Sequence, residues 1–440
     1  MSYKAIVTKL TNVRAHSNAD KVQLATCHGN QVVIGLDHED GELGVYFPSD
    51  GQLSHGFCSA NNLFRKPEMN SDPEGKTGMF DENRRVRAQK FRGEISDGFW
   101  VPLSNLDFIG GISFVEGFEF DELNGIPICE KYVNQATLKI ARENTGKKTK
   151  RAKTSVMFKE HFDTGHFGKN LHEFDYGQTI IITEKLHGTS GRIGHVKVEK
   201  ELNWKERLAK KLGISVEETE WKYLNGTRRV VIEESTGLQY HDPTIRDKAF
   251  KLFNGNLRKG ETIFFEIVGF ESTGASIMPK ADTTKMNDKE FTKTYGKTMP
   301  FSYGCGELQS RVYVYRMTLS DEDGHSIDYA WDDVVKRCKE LGVDTVPHIR
   351  TLMLDELREA DLKQGGNGDD RTVSETFSKL IEAYGSGPSV LDPTHIKEGV
   401  CVRIEGGLNN KTYKFKSFEF KLLEGIIKDS GVVDTEEAQG

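Results

Sequence analysis

A lysine at position 185 follows a strand-like run, Thr179-Ile180-Ile181-Ile182-Thr183, and a glycine stands three positions after it in Glu184-Lys185-Leu186-His187-Gly188-Thr189-Ser190. Lys-x-x-Gly is weak by itself, because it recurs by chance. Four later segments give it weight. Gly226-Thr227-Arg228-Arg229-Val230-Val231-Ile232 carries a basic pair into a strand. Ile263-Phe264-Phe265-Glu266-Ile267-Val268-Gly269 is an apolar strand interrupted by one glutamate. Arg311-Val312-Tyr313-Val314-Tyr315-Arg316-Met317 is a strand with aromatics. Lys397-Glu398-Gly399-Val400-Cys401-Val402-Arg403 is followed closely by Tyr413-Lys414-Phe415-Lys416. Taken singly, each has an ordinary explanation: Glu266 as a surface residue or half of an ion pair, Lys414 and Lys416 as an exposed strand face, Tyr315 as core. Their joint occurrence points to chemistry.

An amine that attacks the α-phosphorus of a nucleoside triphosphate must be neutral, whereas free lysine has a pKa of ~10.4. Nearby cations and a bound metal disfavour the ammonium form, so a nucleophilic Lys185 is expected to have a lowered pKa. Lys414 and Lys416 alternate as residues on one face of a strand do, which lets both reach a phosphate and crowd Lys185. Glu266 and Glu398 supply oxygen ligands for a divalent cation, or one of them contacts the ribose. Tyr315 offers a ring to stack on the base. Arg228 offers a forked contact to a phosphate.

In their order these segments resemble the motifs of the covalent nucleotidyltransferase superfamily of RNA ligases, DNA ligases and mRNA capping enzymes. Lys185-Leu186-His187-Gly188 is similar to motif I. His187, with Thr189 and Ser190 beyond the glycine, resembles RNA ligases more than DNA ligases. Thr227-Arg228 resembles motif Ia, with Arg229 competing for the role. Phe265-Glu266 resembles motif III, Val314-Tyr315 motif IIIa, Glu398 to Arg403 motif IV, and Lys414-Phe415-Lys416 motif V. DNA ligases and capping enzymes carry an OB domain after motif V, and too little sequence follows Lys416 for one. An OB-like region comes first instead, as in the fifth RNA ligase family, whose members seal nicks bearing an RNA 3′-OH end.

The resemblance implies an ATP-dependent RNA ligase that joins 3′-OH and 5′-phosphate ends through lysyl-AMP and an adenylylated end. Its catalytic residues would be Lys185, Glu398, Lys414 and Lys416. The nucleotide would be held by Glu184, Leu186, His187, Gly188, Ser190, Arg228, Glu266, Tyr315, Lys414 and Lys416. Mg2+ or Mn2+ would be held by Glu398 and Glu266. The implied partners are ATP and RNA or an RNA-containing nicked duplex, with neither a membrane nor an obligate protein partner. The rival classes are a GTP-dependent capping-type transferase and a non-catalytic RNA-binding protein.

The elements that must position these residues divide into an α+β arrangement. Residues 1–126 are dense in short alternating runs with glycine turns. The pair Lys21–Cys27 and Gln31–Gly35, separated by His28-Gly29-Asn30, reads as a hairpin. Asn18-Ala19-Asp20-Lys21-Val22-Gln23-Leu24-Ala25 and Arg85 to Phe99 resemble the OB-fold of tRNA-binding modules, so an all-β OB barrel that binds nucleic acid is expected over 1–126. Tyr46, Phe91, Phe99 and Trp100 are its candidate stacking platforms. Residues 127–157 read as a basic linker, with Lys147, Lys148, Lys150, Arg151 and Lys153. Residues 158–440 read as an adenylyltransferase domain of ATP-grasp-like antiparallel sheets plus helices. Within it, residues 200–224 read as a charged helical insertion, 271–305 as an irregular one, and 331–341 as a helix stopped by Gly342.

The 440 residues suffice for two or three domains. A net charge of −7 advertises no global basic field, so any nucleic-acid surface is a local patch. The six cysteines show no metal-ligand spacing and no disulfide framework. With no signal-like N-terminus and no apolar run long enough to span a bilayer, a reducing, cytoplasmic setting is expected.

Overall fold

The computed structural model describes residues 3–139, 155–162, 164–228, 230–232, 243–366 and 368–431. The basic cluster at 147–153 and Arg229 lie outside the described residues. The fold is α+β, and the chain forms two compact units, Met1–Gln135 together with Lys421–Gly431, and Ala136–Phe420.

In the first unit the alternation found in the sequence becomes short antiparallel strands. Gln23–Cys27 and Asn30–Ile34 form the expected hairpin. Its turn takes positive φ at both His28 (46°) and Gly29 (73°), the turn type whose twist matches the flanking strands. Thr11–Ala15 adds a third strand. A four-stranded sheet runs Phe99–Pro102, Leu43–Phe47, Ala5–Lys9, Glu119–Phe120. The expected OB barrel does not form. Among the described residues the strands fall into separate sheets of two to four, and none closes on itself. Closure needs the first and last strands to meet and pair, so that no edge is left. Here Glu119–Phe120 ends its sheet on a register of two residues, Ala5↔Phe120 and Ile6↔Glu119.

Two of the proposed stacking platforms are core instead. Tyr46 is 1% exposed and Trp100 is 4% exposed, both packed with Leu10, Ala25, Val32 and Ile34. Tyr46 lends its hydroxyl to the Asp97 carbonyl at 2.8 Å, which satisfies the phenol inside the core. Phe99 is half-buried, and Phe91 remains exposed at 40%. Arg85 is also buried and structural: it pairs with Asp429 at 2.7 Å and lies over the Tyr132 ring.

The second unit is built on two larger sheets. The five-stranded one runs Gly165–His166, Lys411–Lys416, Gly399–Glu405, Thr179–Lys185, His348–Met353. The seven-stranded one contains Thr189–Glu199 paired with both Thr219–Gly226 and Glu261–Gly269, the latter paired in turn with Ser310–Ser320. Ile180, Ile182, Val400, Val402 and Ile404 pack with Phe377 and Ile381 of the helix Asp370–Gly385. Period-two alternation therefore puts Thr183 and Lys185 on the opposite face of the sheet. The helix Trp331–Leu341 ends as expected at Gly342, which takes φ 68°. The 200–224 insertion is only partly helical: Trp204–Lys211 starts on an Asn203/Glu206 capping box, and Thr219–Gly226 is a strand. The 271–305 insertion contains a small sheet, Ala281–Asp282 with Thr298–Met299, and the helix Lys289–Tyr295.

Candidate active site

Two rungs of the five-stranded sheet, two residues apart and so on one face, carry the lysines. On the first, Lys185, Gly399 and Lys416 lie side by side across three strands. On the second, Thr183, Cys401 and Lys414 do the same. Gly399 is required by close approach, because a Cβ there would stand 1.9 Å from the Phe415 carbonyl oxygen. Glu398, just before Gly399, is almost fully buried. Its Oε2 lies 2.7 Å from Lys185 Nζ, and its Oε1 lies 3.3 Å from Lys416 Nζ. His187 Nδ1 stands 3.7 Å from Glu398 Oε2.

The electrostatics follow from this grouping. Burial pulls the Lys185 amine down, but Glu398, helped by Cys401 and Glu266, outweighs it, and the pKa is raised. Burial pushes Glu398 up, but Lys185, Lys416 and His187 hold it below the usual carboxylate range. The lowered pKa expected for Lys185 therefore falls to Lys414 instead. Burial, reinforced by Lys416, Lys185 and Arg228, brings Lys414 down to about 8. The reason is placement: Lys185 faces the buried carboxylate directly, whereas Lys414 has cations as its stronger electrostatic neighbours.

The loop beyond Lys185 hands over to the second sheet. Gly188 meets the Ile267 carbonyl and Glu266, where a Cβ would sit 2.4 Å from that carbonyl oxygen. Ser190 faces Glu266 in the strand register and donates its hydroxyl to Glu266 Oε2 at 3.0 Å. Glu266 and Ser190 are thus brought to the loop that follows Lys185. Leu186 is buried. Arg228 is close enough to Lys414 to depress its pKa. Tyr315 is the extra residue of a β-bulge, since Phe264 faces Arg316 and Phe265 faces Val314. Such a bulge re-aims a side chain. Its ring stands edge-on to His161 at 5.1 Å, and its carbonyl accepts Arg403 Nη2 at 2.6 Å. Glu184 is placed apart. Its carboxylate lies on the strand face away from Lys185, accepts the Val390 amide at 2.8 Å, and is pushed up by burial.

Two supporting residues carried no signal in the sequence. Arg246, buried on the helix Pro243–Phe253, donates to the Ser190 carbonyl at 3.0 Å and to Thr189 Oγ1 at 2.8 Å. The Tyr303 hydroxyl oxygen accepts the His187 amide at 2.6 Å. Tyr303 belongs to the 271–305 insertion, which the sequence marked only as irregular.

The donor set suits a hard divalent cation. Glu398 and Glu266 offer carboxylate oxygens, and both act electrostatically on Lys185. No thiolate or imidazole cluster competes for a softer metal at this site among the described residues.

The sheet thus presents Lys185 to a buried glutamate, with a Lys-x-Lys strand alongside. No protein-family model and no curated protein matches the sequence. The chain is similar to Naegleria gruberi RNA ligase. A mutant of that enzyme with ATP and Mn matches at a TM-score of 0.55 and 15% identity, over 96% of this chain and 98% of that one. A mutant with AMP and Mn gives 0.56 and 15%, over 95% and 97%. The ligase with PPi gives 0.53 and 14%, over 97% and 98%. At this identity the likeness shows the fold, and it extends over nearly the whole of both chains. No helix among the described residues is long and apolar enough to cross a membrane.

Proposed function

We propose that this protein is an ATP-dependent RNA ligase that joins 3′-OH and 5′-phosphate ends. The observation that carries the reading is the sharing of one buried carboxylate, Glu398, by the Lys185 and Lys416 amines, with Lys414 two rungs away on the same face. The ligands in the similar Naegleria structures, ATP or AMP with Mn, and PPi, support the choice of nucleotide and metal.

Lys185 Nζ gives up a proton, for which Glu398 Oε2 is within reach, and attacks the α-phosphorus of ATP. A P–N bond forms as the P–O bond to pyrophosphate breaks, leaving lysyl-AMP. A 5′-phosphate oxygen then takes the AMP as the P–N bond breaks. Finally a 3′-OH attacks the adenylylated end, and AMP leaves. Splitting one condensation into these steps is the advantage of covalent catalysis. Lys414 and Lys416 bind phosphate oxygens, Tyr315 takes the adenine, and Arg228 positions a phosphate. Mg2+ or Mn2+ on Glu398 and Glu266 would neutralise charge on the phosphates and orient the leaving pyrophosphate. The substrate is a nick whose 3′-OH strand is RNA, in a cytoplasmic RNA-repair role, and the first unit contributes to holding that strand.

The test is incubation with α-labelled ATP or GTP and Mg2+, followed by denaturation. ATP should leave label on the wild type and none on Lys185→Ala. A wild type that seals no nick and keeps no label would overturn the proposal. Label from GTP alone would move it to the capping-type class.

A further inference from the structure

The segment Phe301-Ser302-Tyr303-Gly304 runs beneath the nucleophile's loop and holds His187 in two ways. The His187 amide donates to Tyr303 Oη at 2.6 Å, and the His187 ring meets Phe301 edge-on at 4.8 Å. Tyr303 is fully buried and takes φ +51°. That region is unfavourable for an aromatic residue, and it persists only where the surroundings over-determine it.

The residues that impose it come from the stretch just before Glu398. Asp392 Oδ2 accepts the Ser302 hydroxyl at 2.5 Å and the Gly304 amide at 2.9 Å, one on each side of Tyr303. Asp392 Oδ1 accepts the Thr394 amide and hydroxyl, which fixes the carboxylate. The Tyr303 amide donates to His395 Nε2 at 3.2 Å. An amide can only donate, so Nε2 is the acceptor, and Nδ1 carries the proton and donates to the Ile396 carbonyl at 2.9 Å. The tautomer is thereby fixed. Burial lowers the His395 pKa and keeps the ring neutral, as this bond requires. The His395 and Tyr303 rings meet edge-on at 4.5 Å.

We infer that Tyr303, held by His395 and Asp392, is a positioning residue that locks the His187 backbone and so keeps Lys185 aimed at the α-phosphorus beside Glu398. The strand register already aligns Lys185 with Gly399. Tyr303 supplies a second tie between the same two segments, at the point where the nucleophile's strand ends and its backbone bonds to neighbours stop. The inference rests on the ligase reading, and it concerns how fast lysyl-AMP forms.

The experiment is single-turnover labelling with α-labelled ATP over a range of ATP concentrations, on the full chain, with folding followed by thermal denaturation. Tyr303→Phe keeps the ring and removes the acceptor. Its adenylylation rate should fall about 10- to 100-fold, as small misplacements of reacting groups cost. The ATP concentration for half-maximal rate should stay within twofold. His395→Leu, which removes the acceptor for the Tyr303 amide, should show the same split. His395→Gln, which restores an acceptor near Nε2, should recover most of the loss. An unchanged rate in Tyr303→Phe overturns the inference. So does a rate loss matched by a loss of folded protein, or a His395→Gln no better than His395→Leu. Absence of label on the wild type would instead sink the ligase reading itself.

Discussion

At the scale of single residues, the informative feature is the direction of the lysine pKa values. Lys185 is raised because it faces Glu398, and Lys414 is lowered to about 8 because its stronger neighbours are cations. A nucleophilic amine with a raised pKa is mostly protonated at neutral pH, so its reactive fraction grows with each unit of pH. Single-turnover adenylylation should therefore rise roughly tenfold per unit between about pH 6 and 8, by the ionisation of a single amine. A flat profile over that range would mean that Lys185 is already neutral there. The linked stability terms have opposite signs. Lys185, raised in the folded state, stabilises below its ordinary value, and the effect is lost as pH rises through its folded value. Glu398, lowered, stabilises above the ordinary carboxylate range, and the effect is lost as pH falls through its folded value. Acid unfolding of Lys185→Ala should accordingly begin at higher pH than that of the wild type, because one partner of a buried carboxylate is gone.

At the scale of elements, the site depends on one rung. Lys185, Gly399 and Lys416 are aligned by backbone pairing across three strands. Adding a methyl group at Gly399 would put a carbon 1.9 Å from the Phe415 carbonyl, and the ladder between Gly399–Glu405 and Lys411–Lys416 must open to admit it. Gly399→Ala should therefore abolish label transfer to Lys185 and lower the urea midpoint. Retention of both would show that the rung tolerates displacement. The opposite face is filled by Ile182, Val402 and Phe377. Because that face is well packed, the strands carrying the lysines rest on a core that resists sliding.

At the scale of the whole molecule, each of the two units has its own core, and only the second contains the lysine–glutamate site. In the proposed ligase the first unit holds the nucleic-acid strand, and it carries an exposed hairpin tip of Lys90, Phe91 and Arg92. A ring beside cations is the usual means of holding single-stranded ends. Replacing both Phe91 and Arg92 by alanine should weaken nick sealing about tenfold at moderate salt and leave label transfer from ATP unchanged. It should also reduce the salt dependence of RNA binding by about 0.7 in the log–log slope, the share of one phosphate contact. Equal loss of sealing and labelling would remove the first unit from substrate binding.

The sequence by itself determined which residues are candidates for the proposed chemistry. Lys185, Glu266, Tyr315, Glu398, Lys414 and Lys416 declare themselves by type, order and strand-like surroundings. It also determined the local elements whose signals are short-range, such as the His28-Gly29 turn and the helix stopped at Gly342. The barrel expected for residues 1–126 failed because closure depends on which strand edges meet, and alternation along a strand carries no information about its neighbours. Tyr303 lies 116 positions from His187, and His395 lies 92 from Tyr303. No periodicity reaches across such separations. Only the tertiary structure decided that these side chains converge on the loop after Lys185, and that Lys185 rather than Lys414 faces the carboxylate, because a pKa is set by the groups that packing brings together.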